Sequence, residues 1–229
     1  MRIAVHQPQY LPWPSLLAKI IFSDVFVFLD TVQFERRGFQ HRTILEEEPV
    51  RRYLTIPLIK QSRETLIKDI RVRPDEMWVH DHVQRLQARW PCQHSIAESE
   101  WEDLRSTLGF SNFLCDINIA SAEWLCRIFG IHLEYLRASE LEVDGDRQTR
   151  IPRICAALGA TTYVSGTGAA AYQKPEDFGD LGVDLAYLLP SRPDSVVKRP
   201  ETALSLLHDL EKDAVPALRS GFNLIIHDR

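Results

Sequence analysis

Ile3-Ala4-Val5-His6, then Gln7-Pro8-Gln9-Tyr10-Leu11-Pro12-Trp13-Pro14, then a helical run, then Val25-Phe26-Val27-Phe28-Leu29 decide how this chain is read. Ile3–His6 reads as a short strand that ends at a polar loop. Three prolines within the seven residues 8–14 exclude a regular element there, because proline lacks an amide donor and pushes the residue before it toward extended backbone. Leu16, Leu17, Ile20 and Ile21 then recur at helical spacing, which predicts a helix from about Ser15 to Phe22, with Pro14 tolerated in its first turn. Ser23-Asp24 breaks the pattern. The continuous apolar run 25–29 is rich in β-branched and aromatic residues and reads as a buried strand. A strand–loop–helix–strand unit predicts two parallel neighbours joined by a right-handed crossover. His6 and Asp30 then fall at the carboxyl ends of adjacent strands, the edge of an open α/β sheet where ligand sites form.

Outward from that unit, Thr43–Leu45, Arg52–Leu58 and Leu66–Val72 read as hairpin-like strands. The stretch 74–129 turns helical, with segments predicted over Asp75–Trp90, Ile96–Leu108 and Phe113–Phe129, and reads as an inserted helical subdomain within one domain spanning 1–229. Sheet character returns at Ile131–Leu136. A helix from about Arg147 to Leu158 stops at Gly159, and strands follow at Thr161–Ser165 and Val183–Leu189. An amphipathic helix is expected over Glu201–Lys212. The alternation predicts an α/β fold with an open, mostly parallel central sheet flanked by helices; α+β is the alternative.

Composition narrows the function. The chain has 229 residues, 45% hydrophobic and 26% charged, which suits a globular protein and excludes disorder. No apolar run reaches the length of a membrane span, and the start has no basic stretch followed by a long apolar core, so a cytoplasmic protein without membrane insertion is expected. Cys92, Cys115, Cys126 and Cys155 are widely spaced, which excludes a zinc site built on cysteine pairs. The net charge is −5, against general nucleic-acid binding. Residues 34–73 nevertheless carry ten Lys/Arg against six acids, a net of +4 that leaves −9 on the remainder. Such a basic stretch suits an anionic small molecule or an acidic partner, or is a solvated face of mixed charge.

Several residue types carry chemistry. His6 can handle protons near neutral pH, and Asp30 would be its orienting carboxylate, the logic of a base held by an acid. Asp24 brackets the second strand on its other side and also reads as a helix terminator. His6, Asp24 and Asp30 lack a recognisable ligand spacing, so neither a metal nor a cofactor is assigned. Arg42, with Arg36, Arg37 and His41 near it, could grip a carboxylate or phosphate. Ser165-Gly166-Thr167-Gly168 leaves a strand and could offer backbone amides to an anion, although it is neither a Walker loop nor a dinucleotide fingerprint. Cys155 reads as a core thiol. His80 and His82 fall on different sides of their helix, against joint metal binding.

His6-Gln7-Pro8-Gln9-Tyr10-Leu11-Pro12-Trp13, Lys19, Ser23–Asp30, Val32-Gln33-Phe34, Arg42 and Leu54-Thr55-Ile56-Pro57 resemble the WbqC-like protein family. A second block, Ile154-Cys155, Leu158-Gly159-Ala160-Thr161, Tyr163–Ala169 and Tyr172, resembles it too. The resemblance implies transfer of an acyl or aminoacyl group from a carrier-protein thioester to an amine, such as an amino sugar, in polysaccharide or specialised-metabolite biosynthesis. An acidic carrier protein and a small amine are the implied partners. On that reading His6 deprotonates or orients the amine, Asp30 and Asp24 support it, and Arg42 binds an anionic group. Gln7, Tyr10, Trp13 and Tyr172 line the pocket with Ser165, Gly166 and Gly168. Departures at Phe39, His41 and His208 imply a divergent substrate. Two other classes stay open: hydrolysis of a thioester or amide using Cys155 or a metal, and a non-catalytic module that presents a carrier-bound intermediate.

Overall fold

The computed structural model describes residues 1–46, 49–74, 77–90, 96–166, 168, 173–192 and 200–227. Tyr172, Thr167 and Cys92 lie outside them. The opening unit folds as its sequence pattern requires. Strand β1 (Arg2–His6) leads through the proline loop to helix α1 (Pro14–Ile21) and into β2 (Val25–Phe28). The two strands pair in parallel, with His6 opposite Phe28. A small antiparallel hairpin follows, β3 (Arg42–Glu46) with β4 (Arg52–Thr55). Next come the helices α2 (Met77–Arg89), α3 (Glu98–Gly109) and α4 (Leu114–Ile128). The remaining elements are β5 (Tyr135–Arg137), α5 (Arg150–Ala157), β6 (Thr162–Gly166), α6 (Pro175–Gly179), β7 (Asp184–Pro190), α7 (Leu204–Leu210), α8 (Ala214–Ser220) and β8 (Phe222–His227).

Six strands form one sheet in the order β5-β2-β1-β6-β7-β8. The first five are parallel and β8 runs antiparallel on the edge. The fold is α/β with a mostly parallel sheet, as expected. Alternation along each strand separates two apolar layers. Ala4, Phe26, Phe28 and Val164 join α1, α4, α7 and α8 on one side. Ile3, Val5, Val27, Leu29 and Tyr163 join α5 and Phe178 of α6 on the other. The first layer continues without a break into the helical stretch, through Leu114 and Trp124 of α4 to Trp101 and Leu104 of α3 and Val83 of α2.

Other expectations needed correction. Leu66–Val72 is not a strand but a single tight helical turn over Ile67–Asp69 flanked by isolated bridges. Its apolar residues Ile67 and Ile70 recur at spacing three and both are buried in the core, as a helical turn requires; only Ile70 and Val72 keep a spacing of two. The strand predicted over Arg52–Leu58 stops at Thr55, two residues before Pro57. The one predicted over Ile131–Leu136 contracts to Tyr135–Arg137. Helices α6 and α8 and the edge strand β8 stand outside the predicted elements. Gly159 does end its helix, with φ of +67°.

Leu17 on α1 is fully buried between the sheet and the outer helices. Leu17→Ala is expected to cost about 3 kcal/mol of stability. A urea melt should show a lower midpoint with an unchanged slope.

Candidate functional site

β1 stands where the strand order reverses. The chain leaves it by way of α1 to reach β2 on one side, while β6 and β7 come later to its other side. Connections that depart in opposite directions leave a crevice at the carboxyl ends of the strands. A cavity of about 500 Å³ occupies that place. His6, Gln7, Gln9 and Trp13 line it from the β1 end and its loop, Lys19 from α1, and Gly166 and Gly168 from the end of β6.

The loop between β1 and α1 is held from outside. Leu11 sits in the left-handed region at φ +40°, a conformation that costs a branched side chain free energy. Its amide donates to Ser121 Oγ at 3.2 Å, and Thr43 Oγ1 donates to its carbonyl at 3.0 Å. The fully buried Asn118 of α4 donates through Nδ2 to Pro8 O at 3.2 Å and to Gln40 O at 2.7 Å. Gln40 Nε2 in turn donates to Gln7 Oε1 at 2.7 Å. A chain of amides thus ties α4 to the residue beside His6.

His6 is half-buried at the cavity wall, and Trp13 meets its ring edge-on at 6.4 Å. Burial, and then the charge of Lys19, push the imidazole down to about 3 against the opposing bond to Gln7. The ring is therefore neutral near physiological pH. Its Nδ1, 2.9 Å from Gln7 O, must carry the proton in order to donate to that carbonyl. Nε2 keeps its lone pair, with no hydrogen-bond partner among the described residues.

Lys19 is the functional candidate that residue reading missed as a site residue. Its side chain is only 8% exposed and reaches the cavity past Gly166. A Cβ at position 166 would come within 3.3 Å of Lys19 Cε, so glycine there leaves the lysine its path. Burial lowers its ammonium to about 8. No hydrogen bond or ion pair to Lys19 occurs among the described residues. One lysine among the apolar residues of Leu16-Leu17-Ala18-Lys19-Ile20-Ile21 was the available signal, since α1 buries both sides and leaves it no solvated face. Gln9 is a second such group. It is nine-tenths buried, lines the cavity, and its Oε1 has no hydrogen-bond partner among the described residues.

The other expected residues divide. Gln7, Trp13, Gly166 and Gly168 do line the cavity with His6. Asp30 does not pair with His6. Its buried carboxylate accepts from Ser139 N at 2.9 Å and Ser139 Oγ at 2.6 Å, and it does not line the cavity. Asp24 lies at the opposite end of the sheet, exposed and bonded to Arg2 N at 2.7 Å. These two positions also separate the His6, Asp24 and Asp30 set as metal ligands. Tyr10 is a core residue with its hydroxyl 2.9 Å from His82 Nδ1. Arg42 stands outside the cavity, donating to Gly38 O and Arg37 O and stacked 4.6 Å over Tyr53. Ser165 is buried behind the wall, donating to Gln173 Oε1 at 2.9 Å. Cys155 is in the core, as read, with its thiol pushed up to about 12 by burial.

The sequence profile of the WbqC-like protein family matches residues 7–198. The chain belongs to that family. The matched stretch carries the cavity loop, Lys19, Gly166 and Gly168. This WbqC-like protein is also similar to the uncharacterized protein Rv1507c of Mycobacterium tuberculosis, at 23% identity over 199 residues that cover 81% of each chain. No solved structure matches. Among the described residues, no helix is long and apolar enough to cross a membrane.

Three histidines resist protonation in the folded chain, each from an ordinary 6.5: His6 goes down to about 3, His82, mainly through burial, down to about 4, and His41 is lowered by burial and by the charge of Arg42. The unfolded chain binds more protons below that ordinary value. Stability is therefore expected to fall as pH drops below about 6.5, by up to about 1.4 kcal/mol per pH unit for each histidine. Urea melts between about pH 7 and 5 check this, and His6→Gln should flatten part of the slope.

Proposed function

We propose that this cavity transfers an acyl group from a thioester to an amine. One observation carries the reading: the imidazole at the reversal point is neutral, has one nitrogen fixed on Gln7 O, and offers the other as an acceptor. An amine attacks only through a free lone pair, so a group that accepts its N–H and aims it without protonating it is what the attack needs. The carbonyl oxygen lies toward the glycine-rich end of β6, where Gly166 and Gly168 let it approach backbone closely and share developing negative charge. The new C–N bond forms as the C–S bond breaks, and the amine's proton, relayed through His6 Nε2, ends on the departing thiol. No covalent enzyme intermediate is required.

Cys155 does not suit the hydrolytic alternative, because a buried thiol raised to about 12 supplies almost no thiolate. The donor is an acidic carrier protein. Glu35 lines the cavity mouth, and the exposed Arg36 and Arg37 follow it in the basic stretch, a surface suited to negative charge.

Incubation with loaded carrier proteins and a panel of amines, read by intact mass, tests the proposal. Acylated amine should form, and His6→Ala should slow it by about a hundredfold or more. Transfer at the original rate in His6→Ala would remove the imidazole from the chemistry. Raising the salt concentration should weaken carrier binding.

A further inference from the structure

The cavity holds two opposite charges that do not meet. Lys19, from α1, is buried and has no anionic partner among the described residues. Glu35 lines the same cavity but is exposed, and no ion pair joins the two. A buried ammonium without a counter-charge is costly, and proteins retain such groups where a ligand completes them. The Gln9 amide adds a nine-tenths-buried polar side chain in the same wall, its Oε1 without a hydrogen-bond partner among the described residues. An amino sugar would supply the lysine no counter-charge. A zwitterion would satisfy both ends.

We infer that the amine acceptor carries its own carboxylate, an amino acid, and that Lys19 binds that carboxylate while the amine lies toward His6 and the cavity mouth. This rests on the amine-acceptor reading above, but it concerns binding and can be tested without any acyl donor. Gly166 belongs to the same device, because a Cβ there would stand 3.3 Å from Lys19 Cε and crowd the lysine's path along β6. The described titratable groups that face Lys19 across the cavity are His6, Glu35 and Tyr163. His6 is already neutral, so the pH dependence of binding near about 8 reports Lys19. The lysine must be protonated to hold an anion, so affinity should fall as pH rises through that value.

Isothermal titration of the full chain with glycine, β-alanine and 4-aminobutyrate, beside their methyl esters and glucosamine, decides the matter. At least one amino acid should bind about tenfold or more tightly than its ester and than glucosamine. Lys19→Met should abolish that preference while the thermal melt stays cooperative. Gly166→Val, which obstructs the lysine from the other side, should weaken the same preference in an unaltered α1. At a pH just above about 8, amino-acid binding should take up protons, visible as a dependence of the heat on the buffer. Equal binding of acid and ester, or a preference that survives Lys19→Met, overturns the inference. Amino-acid binding without acyl transfer from any carrier would leave it standing and sink the proposed reaction instead.

Discussion

A parallel sheet in which adjacent strands send their connections in opposite directions leaves a crevice at the carboxyl ends of those strands. β1 is in that position here, between β2 and β6. The cavity, the placement of His6 at its wall and the approach of Lys19 from α1 all follow from this one topological fact. Strand alternation does the rest. Ala4 and His6 share a side with α1, whereas Ile3 and Val5 face α5. A one-residue slip of β1 would turn the imidazole to the opposite layer.

The loop beyond β1 holds that geometry against local preference. A left-handed Leu11 among prolines would not persist in an isolated peptide. Ser121 and Thr43 pin it, and Asn118 clamps Pro8 and Gln40 from the buried side of α4. The inserted helices are thus part of the site's foundation rather than an appendage. Their apolar layer is continuous with that of the sheet, so disturbance in α4 reaches Gln7 through Gln40.

Electrostatics within the cavity favour a negative ligand deep and a proton acceptor beside it. Burial strips water from both His6 and Lys19, and their proximity raises the cost of a second positive charge. The histidine yields and stays neutral, and the lysine holds the charge. Asp30, which the chain places at the end of the neighbouring strand, takes no part in this balance because Ser139 receives its carboxylate.

Periodicity and proline placement were enough to determine the opening β–α–β unit, the α/β class and the strand end at which His6 stands. Those features depend on neighbours close in sequence, where the rules of local backbone and burial act directly. Family resemblance, carried by the same residues, was legible too. Where each polar side chain points is another matter. Asp30, Tyr10, Arg42 and Ser165 all have residue types that suit a site, yet each finds a partner far along the chain or behind the wall and is withdrawn from the cavity. Lys19 does the reverse: a residue expected to seek solvent is enclosed because α1 is covered on both sides and Gly166 leaves it room. Only tertiary packing decides such outcomes, since a side chain's charge and exposure depend on groups that sequence distance does not reveal.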